Sequence, residues 1–355
     1  MKPYLLPLLI ILCLSGCIDL FDGIFTTQLI YESQPTTISY YLSYGYNISF
    51  EGEGFHQVEY LLNTPEVLEG DAEIVDVYME NKSKLVSHSG NTMILWNITG
   101  GGTISYKLGV TASITTRSFV ISDLNGEEAS LLDDIPSLYP EVYHQYTQPQ
   151  GNSTVILINP TASSIKETAY SILNKLGNRN AFSVAKELFI WLKKHTTYKP
   201  HGEINNVQPA TVTLIKGSGD CDDLSFLYIS LCRAIGLPAR FIRGCLINEE
   251  DLVVTPHVWV EVFVGGELGW IPVECAGSGE LESEVHQNFA AEDVFHLRLF
   301  IDDGSNEAIE TIFSPLIARY DNGVNVEMKS FAYISNYNVL EMRELVVEEG
   351  KRSYR

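Results

Sequence analysis

The stretch "GSGDCDDLSFLYISLCRAIGLPAR", residues 217–240, constrains local structure more tightly than any other part of the chain. Gly217 and Gly219 mark a turn, and Asp220 suits the N-cap of a following helix. Leu224, Tyr228, Leu231 and Ile235 fall on one stripe of a helix over 222–235, which Gly236 and Pro238 end. Cys221 heads that stripe. At a helix N-terminus the unpaired N–H groups and the macrodipole stabilise an anion, which lowers a thiol's pKa. Gly219 removes bulk beside it, so that a substrate backbone can approach. Asp222 and Asp223 work against a thiolate, and the simpler reading of Cys221 is a small buried hydrophobe.

A thiolate nucleophile needs a base nearby and a group that orients the base. Residues 255–274, "TPHVWVEVFVGGELGWIPVE", can supply both. Strand alternation puts His257, Trp259 and Glu261 on one face; after the hairpin loop "GGELG" it puts Trp270, Pro272 and Glu274 on one face. Adjacent antiparallel strands can therefore present His257 and Glu274 to the same space.

"GSGDCDDLSFLYISLCRAIGLPARFIRG", then "HVWVEVFV", then "GWIPVE" resembles the core of the transglutaminase-like superfamily over roughly residues 165–280. The resemblance implies a papain-like α+β fold with Cys221 as nucleophile, His257 as base and Glu274 as third member, where the family usually has Asp. Glutamate is one methylene longer and can still accept from an imidazole. The physical reading is acyl transfer: Cys221 attacks an amide carbonyl, its own backbone N–H helps hold the oxyanion, and His257 moves the proton to the leaving amine. Gln208 and Tyr198 are candidates for the second oxyanion donor, set against plain loop or strand packing. Trp259, Trp270, Gly219 and Asp220 are expected to wall the site.

Elsewhere, residues 36–120 alternate in Tyr, Thr and Ile with turns every ten or so residues, which predicts a small β-sandwich. The expected order is a signal segment at 1–17, a β-sandwich-like domain at 28–125, a linker at 126–155, the catalytic core at 156–280, and a β-rich extension of that core at 281–355. Within 156–280, helical spacing from Ile165 to Leu176 and from Val184 to Leu192 precedes the Cys221 helix, and strands return from Arg240. One helix on an antiparallel sheet is α+β.

The N-terminus, "MKPYLLPLLIILCLSGC", has one basic residue, an apolar run and small residues, which reads as a secretory signal. "LSGC" resembles the lipobox of prokaryotic lipoproteins, which implies lipidation at Cys17 and a mature chain tethered outside the cytoplasmic membrane. Sequons at Asn47, Asn81, Asn97 and Asn152 agree with export. Cys232, Cys245 and Cys275 show no disulfide or zinc spacing; a Cys232–Cys245 bridge stays open, but a fold this large does not need one. The formal charge of −22 argues against nucleic acid, since phosphate binding needs clustered Lys and Arg.

Other polar residues default to structure. His56, His88, His144, His195, His201, His286 and His296 lack metal-ligand spacing and read as ordinary histidines. Arg240 and Arg243 are expected to pair with Asp222 or Asp223, and "DDGSNE" reads as a solvated acidic turn. No cofactor or metal is expected. Three functions fit: a thiol hydrolase acting on peptide or isopeptide bonds of a protein, peptide or cell-envelope polymer; a transglutaminase in which an amine resolves the thioester; and a surface binding module that keeps the fold without catalysis.

Overall fold

The computed structural model describes residues 28–200, 207–277, 279, 281–313 and 315–355. The expected signal segment, Cys17 and His201 lie outside the described residues. The N-terminal part is built from β1 (Leu29–Glu51), β2 (Phe55–Asn63), β3 (Gly70–Tyr78), β4 (Ser83–His88), β5 (Asn91–Gly101) and β6 (Ile104–Arg117). Short helices α1 (Ile135–Leu138) and α2 (Pro140–Tyr146) follow, then α3 (Ser163–Leu176), α4 (Ala181–His195), α5 (Ala210–Lys216) and α6 (Cys221–Ala234). The core sheet contributes β7 (Ala239–Ile247), β8 (Val254–Gly265), β9 (Gly269–Val273) and, after α7 (Glu282–Asn288), β10 (His296–Ile301). Helix α8 (Asn306–Phe313) leads to β11 (Leu316–Tyr320), β12 (Asn325–Glu348) and β13 (Lys351–Tyr354).

Two antiparallel sheets, in the orders β13-β12-β1-β6-β3 and β11-β2-β5-β4, face each other. The inward residues of β2 alternate with more exposed ones, as a half-buried sheet requires, whereas β1 carries two runs of four buried residues. Ile38, Leu42, Ile48 and Phe50 of β1 meet Val58 and Tyr60 of β2 and Ile94, Trp96 and Ile98 of β5 in one buried cluster. This is the expected sandwich, with three strands, β11, β12 and β13, from the segment expected to extend the core. The segment 281–355 does not extend the core as a unit. β10 joins the core sheet, whereas β12 pairs antiparallel with β1 from Leu29↔Val347 to Glu51↔Asn325. The reason is that the α+β region is inserted in sequence between strands of one sandwich.

The segment expected as a linker is also ordered into the core. Leu132 and Ile135 are buried with Phe182, Leu188, Phe226, Leu227 and Val260 in a second cluster. Its centre is α6, which packs against the antiparallel sheet β9-β8-β7-β10. Tyr228 is fully buried, and its hydroxyl donates to the Ala185 carbonyl of α4 at 2.8 Å, so the polar tip is satisfied. The sandwich and core are joined by hydrogen bonds as well as apolar contact: Asn91 exchanges two with the backbone of Ile301, and Thr116 Oγ1 donates to Val294 O at 2.6 Å. Among the described residues no helix is long and apolar enough to cross a membrane.

Candidate active site

Helix α6 starts one residue earlier than the spacing predicts, at Cys221. Asp220 accepts from the Asp223 backbone N–H at 3.4 Å, and Asp223 Oδ2 accepts from the Asp220 N–H at 3.2 Å. Such reciprocal capping satisfies two orphan donors and is worth about 1 kcal/mol. Asp223 is fully buried and also accepts the backbone N–H and the side-chain amide of Gln208, each at 2.6 Å.

Two expectations change here. A Cβ on Gly219 would lie 2.4 Å from the Asp223 Cβ, so the space Gly219 leaves is filled by that buried carboxylate rather than kept for substrate. Gln208 spends its amide on Asp223 and braces the turn. Tyr198 is placed differently. The two-residue strand Thr197–Tyr198 runs parallel to Ser218–Gly219, which brings Tyr198 to the turn before Cys221. It lines two adjoining cavities of about 430 and 530 Å³. Burial raises its phenol pKa, and Cys221 and Asp220 add to that.

The Cys221 thiol is pushed well above its ordinary range, first by burial and then by Asp222; the Val258 backbone N–H pulls the other way. Its sulfur lies 3.8 Å from Asp222 Oδ1, to which it donates. The lowering expected from the helix terminus does not prevail, because desolvation outweighs a fractional dipole charge. Asp222 itself is raised to about 6, chiefly by burial, with Arg243 opposing. Arg243 therefore does face Asp222. Arg240 does not: it pairs with Glu261, its Nη2 2.6 Å from Oε2.

Strand β8 carries His257, and Val258 beside it reaches Cys221. Nε2 of His257 lies 2.7 Å from Glu274 Oε2, so the two strand ends meet as the alternation predicts. Glu274 Oε2 also lies 2.9 Å from His296 Nε2, and Oε1 accepts from the N–H groups of Ala276 at 2.6 Å and Gly277 at 3.2 Å. Burial alone would raise this carboxyl, yet the two imidazoles hold it well below the usual range. Lys193 of α4 donates to the carbonyls of Cys275 and Gly277 and so clamps the turn that supplies those N–H groups. His257, Glu274 and His296 line the 530 Å³ cavity.

The imidazoles meet across a sheet position that has no side chain. Gly244 of β7 pairs with His257 on one side and with Arg298 on the other. A Cβ there would come within 1.9 Å of Leu297 O and 3.0 Å of the Trp259 ring. Trp259 packs on both histidines: it stacks on His257 with centroids 5.9 Å apart and meets His296 edge-on at 5.0 Å. Its Nε1 donates to Glu292 at 2.9 Å, and Glu292 and Glu261 together bind the buried Arg298. Trp270 does not wall the site. It packs against Tyr146 and Phe263, with the Arg240 guanidinium 4.2 Å from its ring.

His296 is the residue sequence reasoning passed over. Its Nδ1 lies 2.7 Å from Asp293 Oδ1, and burial, which would lower its pKa, is overcome by Asp293 and Glu274, which hold it well above the ordinary value. A signal was present in "FHLRLF": His296 and Arg298 alternate with Leu297 and Leu299, matching the polar face His257-x-Trp259-x-Glu261. The donor atoms of His257, Glu274 and His296 all lie within 4.8 Å of one another, close enough to surround a cation. Here each is engaged in a hydrogen bond to another, and the group reads as a proton-linked chain.

The remaining candidates sort simply. The four thiols Cys221, Cys232, Cys245 and Cys275 are free, so no Cys232–Cys245 bridge forms. "DDGSNE" is not solvated throughout: Asp302 is fully buried and accepts from Gln150, Gly304 and Arg233. His56 is buried too, stacked on Phe50. Asn47, Asn81, Asn97 and Asn152 are all exposed.

Residues 168–275 match the sequence profile of the Transglutaminase-like superfamily. That segment runs from α3 to the residue after Glu274, and the α+β core behind a β-rich N-terminal region has the fold this family implies. No curated protein matches the chain. Solved structures of related shape include a candidate cysteine protease from Cytophaga hutchinsonii, at 13% identity over 93% of this chain and 100% of that one, TM-score 0.49. The periplasmic domain of TgpA from Pseudomonas aeruginosa matches at 13% identity over 69% and 92%, TM-score 0.32. Red sea bream transglutaminase matches at 9% identity over 85% and 77%, TM-score 0.30.

Proposed function

We propose that this chain catalyses thiol-dependent acyl transfer on peptide or isopeptide amides, with water as the usual acceptor. The observation that carries the reading is the His257–Glu274 bond. It occupies Nε2 and leaves Nδ1, which has no partner among the described residues, to take a proton from Cys221 at the head of α6. The thiolate adds to the amide carbonyl, the C–N bond breaks as His257 returns the proton to the departing amine, and water hydrolyses the thioester. The Cys221 backbone N–H and the Tyr198 hydroxyl serve the oxyanion. The substrate is a protein, peptide or cell-envelope polymer. The chain works outside the cytoplasmic membrane, anchored through Cys17 and glycosylated at its exposed sequons; an intact mass with Cys17 unmodified would count against the anchor.

The test offers an unstructured polypeptide and a glutamine peptide, with and without a primary amine, to the protein and to Cys221→Ser. Cleaved bonds, or ammonia release that needs no amine, support hydrolysis. Amine incorporation would make it a transglutaminase. Neither product, or equal products from Cys221→Ser, would leave a binding module.

A further inference from the structure

We propose that His296 is a positioning residue: an imidazolium strung between Asp293 and Glu274 that fixes the carboxylate orienting His257 and sets a positive charge beside the reacting pair. This deepens the acyl-transfer reading and rests on it.

Both ring nitrogens of His296 lie within hydrogen-bond distance of a carboxylate oxygen, Nδ1 at 2.7 Å from Asp293 and Nε2 at 2.9 Å from Glu274. A neutral imidazole has one N–H and would set a lone pair against one of those oxygens. Neither carboxylate is placed to supply the missing proton. Glu274 Oε1 accepts two backbone N–H groups, and Asp293 Oδ1 also accepts the Phe295 N–H at 2.9 Å, arrangements that favour the ionised forms. The ring therefore carries both protons.

The surroundings keep it so. His296 is buried, edge-on to Trp259 at 5.0 Å and to His257 at 5.7 Å. Of the charged groups on the elements around it, Arg298 on the same strand is spent on Glu261 and Glu292, and Glu292 also holds Trp259. Asp293 and Glu274 are the acids that touch the ring; His257 is the titratable group it faces. Across the site lie Cys221 and Asp222.

Two consequences follow. The Glu274 carboxylate is pinned from four directions, so His257 keeps one tautomer and one ring orientation. The imidazolium, its ring 5.7 Å from that of His257, disfavours a second positive charge beside it, and its removal moves the pH profile upward.

The experiment uses the full chain. Ring ¹⁵N shifts of His296, assigned by comparison with Asp293→Asn, should show both nitrogens protonated at pH 8, with a neutral ring at that pH in the variant. His296→Gln should lower kcat about tenfold to a hundredfold with little change in KM. It should also move both limbs of the kcat/KM profile upward by about one pH unit, the effect of removing a charge at this range. His296→Lys should return the limbs to their places without restoring the full rate. A neutral His296 at pH 8 in the unsubstituted protein overturns the proposal, as does a His296→Gln profile superimposable on the original. Failure of the parent reading looks different: Cys221 alkylation would be unchanged by His257→Ala, while the ring shifts would still report the charge on His296.

Discussion

The Cys221 sulfur lies 3.8 Å from Asp222 Oδ1, so the candidate nucleophile rests with its proton directed at a carboxylate. Burial and that neighbour both hold the thiol protonated. Asp222→Asn is therefore expected to speed alkylation of Cys221 by iodoacetamide at pH 7.5 about tenfold, since one unit off a thiol pKa is tenfold in thiolate. An unchanged or slower rate would show that Asp222 does not govern the resting thiol.

The same carboxyl has a stability signature. Its folded pKa of about 6 lies above the free value of about 3.9, so the native state binds the extra proton between these limits. Stability falls as pH rises through that window, and the penalty is complete above it. Asp222→Asn should gain about 1–3 kcal/mol at pH 8 and almost nothing at pH 4, read from urea titrations at both.

Glu274→Gln should cost at least about a thousandfold in kcat, because an amide can no longer fix the His257 tautomer. Glu274→Asp should cost less but not be silent, as the shorter chain cannot hold two imidazoles and two backbone N–H groups at once. The carboxyl is held low in the folded state, so its contribution to stability is present above about pH 4.3 and fades as pH falls below it. Melts of Glu274→Gln should accordingly show a deficit at pH 7 that shrinks in acid.

Gly244→Ala tests the empty sheet position. Its methyl would meet Leu297 O at 1.9 Å, backbone that cannot yield without parting β7 from β10. A loss of about 2–3 kcal/mol in thermal or urea unfolding is expected, at the upper end of overpacking costs. A variant of normal stability would mean the strands can shift freely.

Arg298→Met removes the buried cation shared by Glu261 and Glu292. Leaving two buried acids short of a partner should cost about 3–5 kcal/mol. Because Glu292 also holds Trp259, indole fluorescence should change along with stability.

Much of this site was legible because its chemistry is local. The cap at Asp220, the thiol at Cys221 and the His257 and Glu274 faces each follow from spacing within one helix or one hairpin. What escaped depends on contacts between distant segments. His296 gains its partners from a turn 22 residues earlier and a loop beside it. Lys193 reaches that turn from a helix 82 residues away. Trp270 shares the alternation of Glu274, but the end of a hairpin strand diverges from its start, and the ring finds Arg240 and Tyr146 instead. β12 reads as a strand in isolation, and nothing in its alternation says that its partner is β1.

That last pairing bears on the order in which the molecule can be finished. β1 leaves the ribosome well before the strand that pairs along its edge. Until Asn325–Glu348 arrives, one edge of β1 stays unpaired while the whole α+β region between them emerges. An unpaired edge of that length is a template for other strands. A nascent chain stalled before residue 325 would therefore hold a finished Cys221 helix on a half-built sandwich, a form that a foldase or holdase would recognise by its bare strand.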